Sequence, residues 1–189
     1  MLRLPALLWP ILLMWTSFAH AQNRPEPIRL CVSTLQNSSR SLIDTTWQRN
    51  QLIKAFERAN KGKNVAKGKA ARIETVLLES NTETDPAVRD QNCQFILHTN
   101  VIEVIDSGTP DIGNRPHSIQ VGSVPSDPRA GASDENRATV SYRIMRAGEL
   151  EEWASGFVDA HDSSPDQILV SQLMDQTANR VASELRHPH

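Results

Sequence analysis

Cys93–Ile105 reads CQFILHTNVIEVI, the longest β-prone run in the chain. Its early part is nearly continuous in apolar residues, the pattern of a central strand covered on both faces. Two shorter β-prone runs precede it, Ile28–Leu35 (IRLCVSTL) and Ile73–Glu79 (IETVLLE). Between those two, Leu42–Asn60 carries Trp47, Leu52, Ile53, Phe56 and Ala59 at helical spacing, with Asp44 as an N-terminal cap and Gly62 as a stop. A short helix over Asp85–Gln91 follows the second run, with Pro86 at its first helical position. Strands separated by helical segments imply a parallel arrangement for the first three.

Downstream, Arg137–Arg146 (RATVSYRIMR) sets Val140, Tyr142 and Ile144 against Ser141, Arg143 and Met145, and Trp153–Ala160 returns. The pair reads as a β-hairpin, and a turn lacking Asn-Gly implies a loop of more than two residues. The last element opens on Ser164-Pro165-Asp166-Gln167, a capping box with proline at the first helical position. Val170, Leu173, Met174, Ala178, Val181, Ala182 and Leu185 then form a stripe one face wide, so this helix lies on a sheet. The expected fold is therefore α/β: a mixed sheet with a parallel three-stranded part plus an antiparallel hairpin, and two main helices packed on it. Both helices are expected on the same face.

The amino terminus sets the compartment. Arg3 precedes the largely apolar run Leu4–Phe18, and Ala19-His20-Ala21 offers small residues where a signal peptidase reads, so 1–21 is expected to be a signal peptide. A transmembrane anchor is the rival, but the run is short for a bilayer and carries Pro5 and Pro10. Cleavage before Gln22 leaves an extended tail at 22–27, a single α/β domain at 28–186, and a periplasmic or secreted protein with no stable membrane span. The remaining 168 residues suffice for a core without staples. They carry 19 Lys+Arg against 22 Asp+Glu, a net charge of −3 that gives no basic surplus for nucleic acid.

Two cysteines remain, Cys31 and Cys93. In an oxidising compartment they form a disulfide if their Cα atoms come within roughly 7 Å; otherwise they pack as small apolar thiols. Residues 106–136 hold four of the eight glycines and four of the eleven prolines, with no aromatic residue, which makes a long loop that is disordered, a functional flap, or partly an edge strand over Ser118–Val124. Lys61, Lys63, Lys67 and Lys69 lie in a second atypical loop, 61–72, and offer an anion contact, or else a solvated stretch after a helix C-terminus.

Catalytic motifs are sparse. There is no GxSxG elbow. Asp159, His161 and Asp162 are the one cluster resembling a metal-ligand set, and residues 159 and 161 of a strand point the same way; a polar strand end is the alternative. Asn37-Ser38-Ser39 after the first strand offers backbone N–H groups to an anion, without a glycine-rich frame.

The order of elements, with IRLCVSTLQNSS, the Asn92-Cys93-Gln94-Phe95 entry to the third strand, and the closing hairpin and helix, resembles the CsgG-like, TolB amino-terminal and LpoB-like envelope domains. The lipid-anchor cysteine of several members has no counterpart here, nor do the membrane-inserting segments of the curli channel, so channel formation does not carry over. The resemblance implies an interaction module with no catalytic residue. The expected function is a non-enzymatic exported domain that binds a protein or envelope component, through 106–136 and 61–72, without a cofactor. The alternatives are a metal-binding protein or small hydrolase using Asp159, His161 and Asp162, and an anionic-polymer binder using the four lysines.

Overall fold

The computed structural model describes residues 25–79, 86–105, 136–149 and 151–187. The expectations for the signal peptide, the Asp85 cap and the 106–135 loop lie outside these residues. The elements are β1 (Ile28–Val32), β2 (Gln36–Asn37), α1 (Thr45–Ala59), α2 (Lys63–Ala66), β3 (Ile73–Leu77), α3 (Pro86–Asp90), β4 (Phe95–Ile105), β5 (Asn136–Arg146), β6 (Glu152–Asp162) and α4 (Asp166–Arg186). The sheet runs β3-β1-β4-β5-β6, with β2 paired to β4 beyond the end of β1. β1 pairs in parallel with β3 and β4, whereas β5 pairs antiparallel with both β4 and β6. This is the mixed sheet implied by the sequence, centred on the strand that runs from Phe95.

That strand is central because both of its faces are covered at its start. Leu97 and Val101 join Leu30, Val32, Val140 and Ile144 under α1 and α4. On the opposite face Ile96 packs with Cys31, Leu78, Val88 and Met145, where α3 supplies the cover. Met145, grouped by alternation with the polar row of its strand, is buried for this reason. The other members of that row, Ser141 and Arg143, lie beyond the reach of this cluster.

α4 buries its apolar stripe, Leu169 to Leu185, on β5 and β6 and against α1. Its start differs from the expected capping box. Pro165 occupies the cap position with no side-chain hydrogen bond. Ser164 Oγ donates instead to Asp162 at 3.0 Å, and Gln167 turns to α1, accepting from Gln48 Nε2 at 3.1 Å and donating to the Leu42 carbonyl at 3.2 Å. A tertiary contact has drawn Gln167 away from the cap, and Ser164 has turned back to the end of β6.

α1 begins at Thr45 rather than Leu42, because the Asp44 carboxylate accepts from the Trp47 N–H at 2.9 Å and so ends the extended entry. Its buried face is also rotated from the expected one. Trp47 is 41% exposed, while Gln48 and Arg49 are buried with Leu52, Ala55 and Phe56. Arg49 reaches the Leu78 carbonyl at 2.9 Å and pairs with Glu79 at the surface. Gln48 Nε2 and Arg49 Nη2 are engaged in this way, whereas Gln48 Oε1 and Arg49 Nε are buried without a hydrogen-bond partner among the described residues.

The first strand is shorter than expected, ending at Val32. Its polar turn returns as β2, and the Ser38 and Ser39 N–H groups both donate to the Val101 carbonyl. The N–H groups considered for an anion are thus engaged in the sheet. Asn37 is tied locally as well, donating to the Ser41 carbonyl and accepting from Ser39.

Cys31 and Cys93 form a disulfide with a Cα–Cα separation of 5.7 Å. It ties β1 to the residues entering β4 and closes a loop with a sequence separation of 62, beneath α3. On the chain-entropy argument a loop of that size is worth about 4 kcal/mol. Urea unfolding of the Cys31→Ala/Cys93→Ala double variant is expected to show a loss of roughly 2–4 kcal/mol; a loss within experimental error would show that the bridge contributes nothing to stability.

Tyr142, the chain's one tyrosine, is buried under α4 and donates to Glu184 at 2.7 Å. Gly156 faces it across the β5–β6 pair, and a Cβ there would meet the Tyr142 hydroxyl at 2.7 Å. Burial, reinforced by the Glu184 carboxylate, pushes the phenol from 10.0 up to about 12. The neutral phenol is the form the fold favours, so its contribution is complete below pH 10 and is lost as pH rises through about 12. A single phenolate absorbance transition near pH 12 is expected, moving down in Glu184→Gln; a midpoint near 10 in the folded protein would refute the burial argument.

Candidate functional site

Two helices on one face leave the other face of β4, β5 and β6 to its own side chains beyond the α3 cluster. Strand alternation and the antiparallel register set the rows. His98 lies opposite Arg143, which lies opposite Ser155; Asn100 lies opposite Ser141, which lies opposite Phe157. Further along, Thr139 is opposite Asp159 and Arg137 opposite His161. β2 brings Gln36 beside Asn100. Gln36, His98, Asn100, Ser141, Arg143 and Ser155 line a shallow depression of about 560 Å³, with Phe157, 67% exposed, on its rim.

The polar walls are held in place. Ser33 Oγ donates to the Leu97 carbonyl at 3.0 Å and lies 3.2 Å from His98 Nδ1. Asn100 Nδ2 donates to Ser38 Oγ at 3.0 Å, and Arg137 pairs with Glu103 at 3.9 Å. The result is a set of amide, hydroxyl, imidazole and guanidinium groups around an exposed phenyl ring. Such a surface supports hydrogen-bonded recognition with one aromatic anchor.

The three residues expected as metal ligands are divided by the strand. Asp159 and His161 share the face of Phe157, and Asp159 accepts from Thr139 Oγ1 at 2.8 Å. Asp162 is opposite Asn136 on the other face and turns into the β6–α4 connection. Among the described residues no group of three or more His, Cys, Asp and Glu side chains is gathered as a metal site.

The four lysines are exposed, but their loop is more ordered than a solvated stretch. It contains α2, turns at Gly68 with φ of 67°, and is closed by Lys69 and Ala70 N–H groups donating to the Asn64 carbonyl. Asn60 bonds both the N–H and the carbonyl of Ile73, and Arg186 donates to the Ala71 carbonyl and to Asn60. Burial there pulls the Arg186 guanidinium below the ordinary arginine value.

The depression was not found from sequence. Its one advance signal is the alternation of Ser155, Phe157, Asp159 and His161, which places an aromatic ring in an otherwise polar row. Aligning that row with His98 and Arg143 requires the register, which includes shifts at Val101/Glu103 and Ile144/Met145.

The Asp162 carboxylate is held below its ordinary 3.8 by the Ser164 hydroxyl first and by the Ser163 backbone N–H second. In Ser164→Ala its NMR titration is expected to move up toward 3.8, and an unmoved midpoint would mean that the hydroxyl is not the controlling group.

No family model and no curated protein matches the sequence. Solved structures do. The PelC dodecamer from Paraburkholderia phytofirmans is 11% identical, with 82% of this chain and 88% of that chain covered at a TM-score of 0.53. The hypothetical protein CT253 from Chlamydia trachomatis is 12% identical over 83% of this chain and 96% of that one, at 0.48. The LpoB C-terminal domain from Salmonella enterica is 12% identical over 74% and 87%, at 0.32. The PelC likeness is close enough to show a shared fold.

Proposed function

We propose that this chain is an exported, non-enzymatic envelope domain that binds a protein partner through the helix-free face of β4, β5 and β6. The observation that carries the reading is Phe157. It stands 67% exposed at the rim of a depression otherwise walled by polar side chains, including Arg143, Asn100 and Ser141. Aromatic and arginine side chains set among polar neighbours are the residues on which binding energy concentrates. An apolar leader followed by Ala19-His20-Ala21, and a disulfide, support export to an oxidising compartment. No helix of the described residues is long and apolar enough to cross a membrane.

Residues 106–135, proposed from the sequence as a contact segment, connect the end of β4 to the start of β5 in the chain. Ile105 and Arg137 are already paired, so a short turn in their place preserves the hairpin.

The test uses the chain from Gln22, crosslinked in an envelope extract and compared with Phe157→Glu and with a 106–135 turn replacement. One dominant protein, lost from the Phe157→Glu sample while the melting temperature is unchanged, is the expected result. The purified pair should then bind at least about tenfold more weakly with the variant. Equal capture by wild type and Phe157→Glu would reject this face as the contact surface.

A further inference from the structure

We infer that the two edges of the sheet are complementary, and that copies of this chain associate head to tail with β3 of one against β6 of the next. β3 and β6 are the outer strands, and among the described residues neither pairs on its outer side. The pairing sense along β3-β1-β4-β5-β6 makes β6 run parallel to β3, so both begin at the same pole of the sheet.

The charges at that pole are separated by edge. Four of the chain's five lysines, Lys61, Lys63, Lys67 and Lys69, precede β3 together with Arg72, and no acidic residue falls between Glu57 and Glu74. All five cations are exposed, and among the described residues none is in an ion pair. At the entry to β6 stand Glu149, Glu151 and Glu152, its first residue, also exposed, with Arg146 as the nearby cation on Glu149.

Within one copy these groups lie four strand spacings apart, about 19 Å. That is roughly two Debye lengths at physiological salt, so they do little for each other inside one chain. Parallel edge pairing between copies brings them together, because the basic loop enters β3 where the acidic turn enters β6. An antiparallel pairing would place them at opposite ends.

Protection of exposed edges is a competing use of lysine. It does not fit here, because neither β3 (IETVL) nor β6 (EWASGFVDAHD) contains lysine or proline, and the lysines lie in the preceding loop. Glu74, the charge on β3, is engaged by Arg29 at 3.8 Å. A contact between two different edges is heterologous, so it generates a ring if the rotation closes and a filament if it does not.

The experiment is sedimentation velocity on the chain from Gln22 at low and high salt, with two charge-reversed variants. One carries Lys61, Lys63, Lys67 and Lys69→Glu, and the other Glu149, Glu151 and Glu152→Lys; circular dichroism checks that both are folded. Wild type is expected to form species larger than a monomer at low salt that recede at high salt. Each variant alone is expected to sediment as a monomer, and an equimolar mixture of the two is expected to form a complex, because one then offers two acidic edges and the other two basic ones. A wild type that stays monomeric at low salt, or assemblies that persist unchanged in either variant, would overturn the proposal. The variant carrying Lys61, Lys63, Lys67 and Lys69→Glu, altered at the edge away from Phe157, is expected still to capture the protein partner, which separates this outcome from that of the partner-binding test.

Discussion

The packing of α4 across β4, β5 and β6 is the constraint from which the rest of the molecule follows. It buries a continuous helical stripe against Val140, Tyr142, Ile144, Val158 and Ala160, and α1 completes the same layer. Burial on that side fixes strand register, since a slip of one residue would turn the apolar set toward solvent. Register then determines which side chains meet on the other side. The rows containing His98, Arg143, Asn100, Ser141 and Phe157 are therefore a consequence of core packing beneath them.

The second face is itself divided. Near the start of β4 it is closed by α3 and the disulfide, which together bury Ile96, Cys31 and Met145. Past His98 the residues become polar and the depression begins. Gly156 belongs to the helix side, where its missing side chain makes room for Tyr142. A substitution that pushed Tyr142 aside would disturb the Glu184 contact in the core.

Apolar periodicity made the large elements legible. The β4 run, the α4 stripe, the hairpin and Pro86 at the start of α3 were readable because each is a local pattern that tertiary structure leaves in place. The failures share a cause. Gln48, Arg49 and Gln167 have strong local readings, as exposed helix residues or as a cap, yet each found a partner distant in sequence, while Ser164 turned back to Asp162. Met145 lost its surface reading to a helix that the strand pattern gives no sign of. The candidate site was the least legible because it is distributed over β2, β4, β5 and β6, and no short motif records a register.

Among the described residues, three displaced titrations each trace to a local contact. Tyr142 is explained by burial with Glu184, Asp162 by Ser164 and Ser163, and Arg186 by burial beside Ala71 and Asn60. Asp162 and Arg186 stand away from the depression, and the Tyr142 hydroxyl is committed to Glu184 on the helix side. Each of these displacements serves a contact within the fold. The depression instead combines an exposed ring with hydrogen-bonding groups steadied by their neighbours. That combination is the basis of the proposed partner surface, and the sheet edges, with their separated charges, offer an independent means of association.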